Sequence, residues 1–242
     1  MSYIINALFL QLGFFYVFLN AKIKDRNRPM NFEPHFKKYE ELVVTVDAIF
    51  DKVKSEYPKE VFCREKCSDC CYAIFDIPII EAVYLNQKFN EHFSGVEKRE
   101  LIDIAAKVDR SLFKMKRDAH KEAQDGKDQI QIVAKMSMER VRCPLLGKND
   151  LCLLYKYRPL TCRVYGIPTA TAGESHICGR TNFKQGEQYP TLNMDSLYSK
   201  LQLISAEMTA DLKATNIKVC EMLIPVSMAL ITDFNEAFFG IE

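Results

Sequence analysis

The grouping of its cysteines constrains this chain more than any other feature. Cys63, Cys67, Cys70 and Cys71 form a short run, and Cys143, Cys152, Cys162 and Cys178 form a second, looser one. The ninth cysteine, Cys220, stands alone in an apolar context. Thiols so arranged can be oxidised, buried as small hydrophobes or used as ligands. With 242 residues the chain is long enough to fold on its own core, so it does not need the bridges that staple small secreted domains. Scattered burial would not produce two dense groups with basic flanks. Arg64, Lys66, Arg142, Lys148, Lys156, Arg158, Arg163 and Arg180 sit beside or between the cysteines. Nearby cations favour the thiolate, which is the form that binds metal. Four plus four matches the four-thiolate sets of zinc sites and of cubane iron–sulfur clusters. Cys220 reads as a small buried hydrophobe.

Charge narrows the partners. Lys+Arg 33 against Asp+Glu 32 leaves a net charge of +1, so nothing indicates a nucleic-acid surface. Any protein partner is unknown from the sequence. Tyr3 to Leu19 is strongly apolar, at the short limit for a bilayer span. No basic residue precedes it, unlike a signal peptide. Lys22, Lys24, Arg26 and Arg28 follow, which would hold the rest of the chain in the cytoplasm. Residues 1–29 therefore read either as a membrane anchor with a cytoplasmic body or as sequence upstream of a true start at Met30. Residues 30–242 read as one cysteine-cluster domain with helical flanks.

That body is mainly helical. Phe36, Tyr39, Leu42, Val46, Phe50 and Val53 recur at helical spacing, and Pro58 ends the helix. A second helix opens near Pro78 and runs to about Asn90. Ser94-Gly95-Val96-Glu97 has the pattern of a capping box. The third helix it opens carries Leu101, Ile104, Ala105, Val108, Leu112 and Met115 on one face and stops near Gly126. Its other face, with Lys107, Arg110, Lys114, Lys116, Arg117 and Lys121, reads as solvated. Residues 128–140 fit helix or strand. The stretch from Cys143 to Cys178 is mostly loop with a short helix at Leu153–Tyr157. Met194 to Leu212 marks a long final helix, and an apolar segment, Met222 to Ile231, closes the core. The expected architecture is a single irregular helical domain built around a loop-rich cysteine centre.

In a helix or turn, Cys63 and Cys67 share a face with Cys70 and Cys71 straddling it. The adjacent pair would face different atoms of one cluster or two separate ions. Arg158 and Arg163 flank Cys162 and are candidates to donate hydrogen bonds to ligand sulfurs. His176, two residues before Cys178, reads as exposed.

CREKCSDCC followed by CPLLGKNDLCLLYKYRPLTCRVYG resembles the CxxCxxCC cysteine-cluster family, also called YkgJ-like and described as zinc- or iron-chelating. The match covers roughly Val61 to Cys178, with three residues rather than two between Cys63 and Cys67. The resemblance implies a metal site formed by Cys63, Cys67, Cys70, Cys71, Cys143, Cys152, Cys162 and Cys178. Eight cysteines including an adjacent pair are generous for structural zinc, so an iron–sulfur cluster with a redox, sensing or accessory role comes before a structural zinc centre. A related cysteine pattern occurs in enzymes that methylate flagellin lysines, but this chain lacks their extra length. The Cys63-x3-Cys67-x2-Cys70 spacing also occurs in radical S-adenosylmethionine enzymes, yet Asp69 stands where those carry an aromatic residue. No Walker loop, GxSxG or HExxH is present, so no substrate or catalytic residue is named.

Overall fold

The computed structural model describes residues 30–241. The apolar segment 1–29, and with it the choice between anchor and upstream sequence, lies outside the described residues. The described chain is mainly α and forms a single domain. Its helices are α1 (Glu33–Glu56), α2 (Ile79–His92), α3 (Gly95–Gln124), α4 (Gln129–Met138), α5 (Leu160–Val164), α6 (Met194–Asp211), α7 (Val226–Ile231) and α8 (Glu236–Phe239). Among these residues no helix is long and apolar enough to cross a membrane.

The centre of the molecule is α2. Every residue from 79 to 85 is buried, as is Phe89, so the first two turns of this helix are enclosed by α1, α6 and α7. Its amino-terminal donors need acceptors, and its N-cap Pro78 provides no side-chain cap. Ser205 of α6 meets one, with Ile80 N–H donating to Oγ at 3.4 Å. Asn86 of α2 donates from Nδ2 to the carbonyls of Ala229 and Thr232, closing the end of α7.

Two short strands, β1 (Asp76–Pro78) and β5 (Leu223–Pro225), pair antiparallel with Ile77 opposite Ile224. Each ends in a proline and leads directly into a helix, α2 and α7 respectively. Proline presets φ for helix entry and has no N–H to leave unpaired. A three-stranded sheet joins β2 (Thr169–Thr171) and β3 (Glu174–His176) of the cysteine-rich region to β4 (Leu192–Asn193) beyond it. Neither sheet is legible in the sequence, because two- and three-residue strands leave no alternating pattern.

Several local expectations need correction. Ser94 is the N-cap of α3, but its side chain makes no capping bond. Gly95 has φ +58° and turns the first residue away from helical geometry, so the box does not form. Residues 129–138 are helical, and α4 starts from an Asp128 cap that accepts from Ile130 N–H at 2.9 Å. The short helix expected at 153–157 is a 3-10 turn, Tyr155–Tyr157, and α5 follows it unannounced. Lys116 is not solvated. It is buried and its Nζ lies 2.6 Å from Asp76 Oδ2, at the entrance to β1.

This pair joins α3 to the β1–β5 clasp with both charges largely out of water. Replacing Lys116 by methionine leaves the Asp76 carboxylate uncompensated. The expected loss is about 3–5 kcal/mol in urea unfolding. Adding Asp76→Asn to Lys116→Met should recover a large part of it.

Candidate metal centre

The two cysteine runs meet. Residues 71–72 and 141–143 run alongside each other, with Cys143 N–H donating to Cys71 O at 2.7 Å and Val141 N–H to Tyr72 O at 3.0 Å. Arg140 fastens the same junction from outside, donating to the Asp69 carbonyl and to Oδ1 at 2.7 Å.

The first run leaves the end of α1 as an extended segment. It turns at 64–67, where Cys67 N–H donates to Arg64 O and Lys66 takes φ 66°. A 3-10 turn, Asp69–Tyr72, then presents Cys70 and Cys71. In the second run Gly147 N–H donates to Leu151 O and Leu153 N–H to Leu145 O, each at 2.8 Å. This small loop brings Cys143 and Cys152 together, while Cys162 rides on α5.

Seven of the eight cysteines, all but Cys178, line one cavity of about 400 Å³. Phe75, Val108, Leu112 and Val226 form apolar wall, and Lys54, Arg64, Lys66, Arg142 and Arg158 bring positive charge to the lining. Cys178 is buried outside this lining, its thiol 3.6 Å from Asp69 Oδ2. All eight are free thiols. Among the described residues no three Cys, His, Asp or Glu side chains have closed to metal-ligand geometry. The thiols surround the space without converging.

The donor set nevertheless suits a thiophilic metal. Burial pushes Cys63 up to about 12, with Cys67, Cys178 and Cys70 adding to the shift and Lys54 opposing it. Burial likewise raises Cys143 to about 12 and lifts Cys152, Cys162 and Cys178. Cys70 moves the other way, because the Cys71 thiol donates to its sulfur and Arg158 stands near. Cys71 is raised as the donor of that pair. Three sulfurs accept a backbone N–H from two residues ahead: Cys143 from Leu145, Cys152 from Leu154, and Cys178 from Arg180 at 3.5 Å. Such bonds stabilise thiolate and orient it as a ligand.

Arg158 and Arg163 are both at the cavity, but neither guanidinium donates to a sulfur. Arg158 lies over the Tyr155 ring and donates to Tyr155 O, so it reaches Cys70 and Cys152 through charge alone. Arg163 is buried and donates to Arg158 O, Lys156 O and Asp47 Oδ2, which holds the loop before Cys162 against α1. His176 is exposed in β3, and Cys220 lies in a 3-10 turn away from the cavity.

Two supporting residues escaped the sequence reading. Glu81 is fully buried in α2, and its Oε1 accepts from Leu160 N–H at 2.7 Å and Tyr39 Oη–H at 2.9 Å. It thus caps α5, the helix that carries Cys162. A lone carboxylate inside the apolar run of 77–85 was the available signal. Gly166 packs directly on Cys63, where any Cβ would overlap the sulfur.

A helical scaffold thus presents two cysteine loops to a shared, cation-flanked cavity. Residues 62–179 match the CxxCxxCC family, described as "Putative zinc- or iron-chelating domain". No curated protein and no solved structure matches it.

Two outcomes follow from this geometry. Gly166→Ala must move Cys63, and overpacking of this kind costs about 1–3 kcal/mol in urea unfolding; metal content of the purified protein should fall with it. Burial raises Glu81 to about 7, so the fold favours its protonated form. That stability is fully present below the ordinary carboxyl value and is lost as pH rises through about 7. Wild type should therefore lose up to about 3 kcal/mol relative to Glu81→Gln between pH 4.5 and 8. Parallel stability–pH curves for the two proteins would show that Glu81 does not titrate in this way.

Proposed function

We propose that this chain holds an iron–sulfur centre and serves a redox, sensing or accessory role. The observation that carries the reading is the cavity shared by seven thiols from both runs, an adjacent cysteine pair among them. An iron–sulfur centre bound there would supply one-electron chemistry. Cys63, Cys67, Cys70, Cys71, Cys143, Cys152, Cys162 and Cys178 would hold it. Lys54, Arg142 and Arg158 would offset thiolate charge, and the apolar wall would limit access of water. Free thiols throughout suit a reducing compartment, so we place the body in the cytoplasm.

A zinc protein is the second reading. The family description names zinc beside iron, and closed thiolate sites need no open position for chemistry. Zinc would then hold the loops for a partner.

Anaerobic purification with a visible spectrum and metal analysis separates these readings. A brown protein absorbing at about 400 nm supports iron–sulfur; a colourless one with about two zinc ions supports the second reading. Cys71→Ser and Cys162→Ser should each lower metal content and stability together, because ligand binding is coupled to folding. Cys220→Ser should change neither.

A further inference from the structure

We propose that the eight thiols divide into two four-sulfur sites that cross the sequence runs. One site takes Cys63, Cys67, Cys70 and Cys178; the other takes Cys71, Cys143, Cys152 and Cys162. This rests on the metal-binding reading above and goes beyond it, since the order of cysteines in the chain suggests the opposite grouping.

The backbone carries the argument. The segment bearing Cys178 is fastened to the first run as well as, through β3, to β2 of its own. Asn182 N–H donates to Glu60 O at 2.9 Å, and its Nδ2 donates to Lys59 O at 2.8 Å, just ahead of Cys63. Arg180 Nε lies 3.5 Å from Asp69 Oδ1, and the Cys178 thiol meets the other oxygen of the same carboxylate. Conversely, Cys71 is fastened to the second run through the 2.7 Å bond from Cys143 N–H. The loop bonds at 145–153 then bring Cys152 to Cys143.

Electrostatic neighbourhoods agree for every thiol but Cys70. Cys63 feels Cys67 and Cys178 first, and Cys178 also feels Cys67. Cys71 and Cys162 each feel Cys70 first and then Cys143 and Cys152. Cys70 touches both neighbourhoods. The Cys71 thiol donates to the Cys70 sulfur, so the adjacent pair sits together at the seam between the two sets, and the backbone bond from Cys143 N–H assigns Cys71 to the second. Cys71 already completes the second set, which assigns Cys70 to the first.

The test uses the full chain, reduced and anaerobic, with cobalt(II) alone as the probe and native mass spectrometry as the readout. Wild type should bind about two ions, on four thiolates each. Cys67→Ser/Cys178→Ser removes two ligands of one site and should still bind one ion. Cys152→Ser/Cys178→Ser damages both sites and should bind none. The reverse pattern, with the second variant keeping an ion and the first losing both, overturns the crossed assignment. So does loss of both ions from both variants, which marks one shared polynuclear centre. Cadmium NMR of the wild type needs no variant. Its couplings to cysteine β-protons should join Cys178 to Cys67 and Cys71 to Cys143; one cadmium coupled to both Cys143 and Cys178 overturns the proposal. If wild type binds neither cobalt nor cadmium, the metal-binding reading itself fails.

Discussion

The clasp between residues 71–72 and 141–143 is the contact on which the rest of the centre depends. Two backbone hydrogen bonds, reinforced by Arg140 on Asp69, place loops from opposite ends of the α2–α4 segment side by side. Closing so long a loop costs conformational entropy that two hydrogen bonds do not repay. The helical core repays it. Helix α2 is sheathed by α1, α6 and α7, and the β1–β5 pairing fixes where the first run ends. The thiols are thus positioned by apolar packing at some distance from them, and the clasp converts that packing into local geometry.

Buried polar groups transmit the same order. Glu81 reaches from the core helix to the first N–H of α5, and Arg163 reaches from α5 back to the loop before it and to Asp47 on α1. Cys162 therefore rides on a short helix held from both sides. A five-residue helix is too short to be stable alone, so such anchors decide whether it exists. Lys116 and Asp76 do the equivalent work where α3 meets β1.

The long helices were legible because their apolar spacing extends over many turns, and α1, α2, α3 and α6 lie close to where that spacing puts them. The convergence of the runs was legible in a weaker sense: the count and basic flanks of the cysteines called for it, though no local pattern encoded it. What escaped has a common cause. The short strands, α5, the role of Gly166 and the burial of Lys116 are all set by residues distant in sequence. Lys116 sits on a face with five other basic residues, and its ion-pair partner Asp76 lies forty positions away. The Ser94 cap failed for the opposite reason: one neighbouring glycine at positive φ overrode a correct pattern.

The crossed grouping of thiols also has a mechanical logic. The region from 139 to 193 contains one five-residue helix and short strands, so its own side chains contribute little regular packing. Ligands drawn from one run alone would close only that run, leaving the other held by the clasp. Ligands drawn from both runs make each bound ion a cross-link across the α2–α4 segment, where loop closure is costliest and a bridge gains most. Burial keeps most of these thiols protonated in the free protein, so an ion must displace protons as it enters. The nearby cations and backbone N–H donors reduce that cost at the sulfurs they face. Metal binding and completion of the loop fold are then one event, with the helical core already in place to receive it.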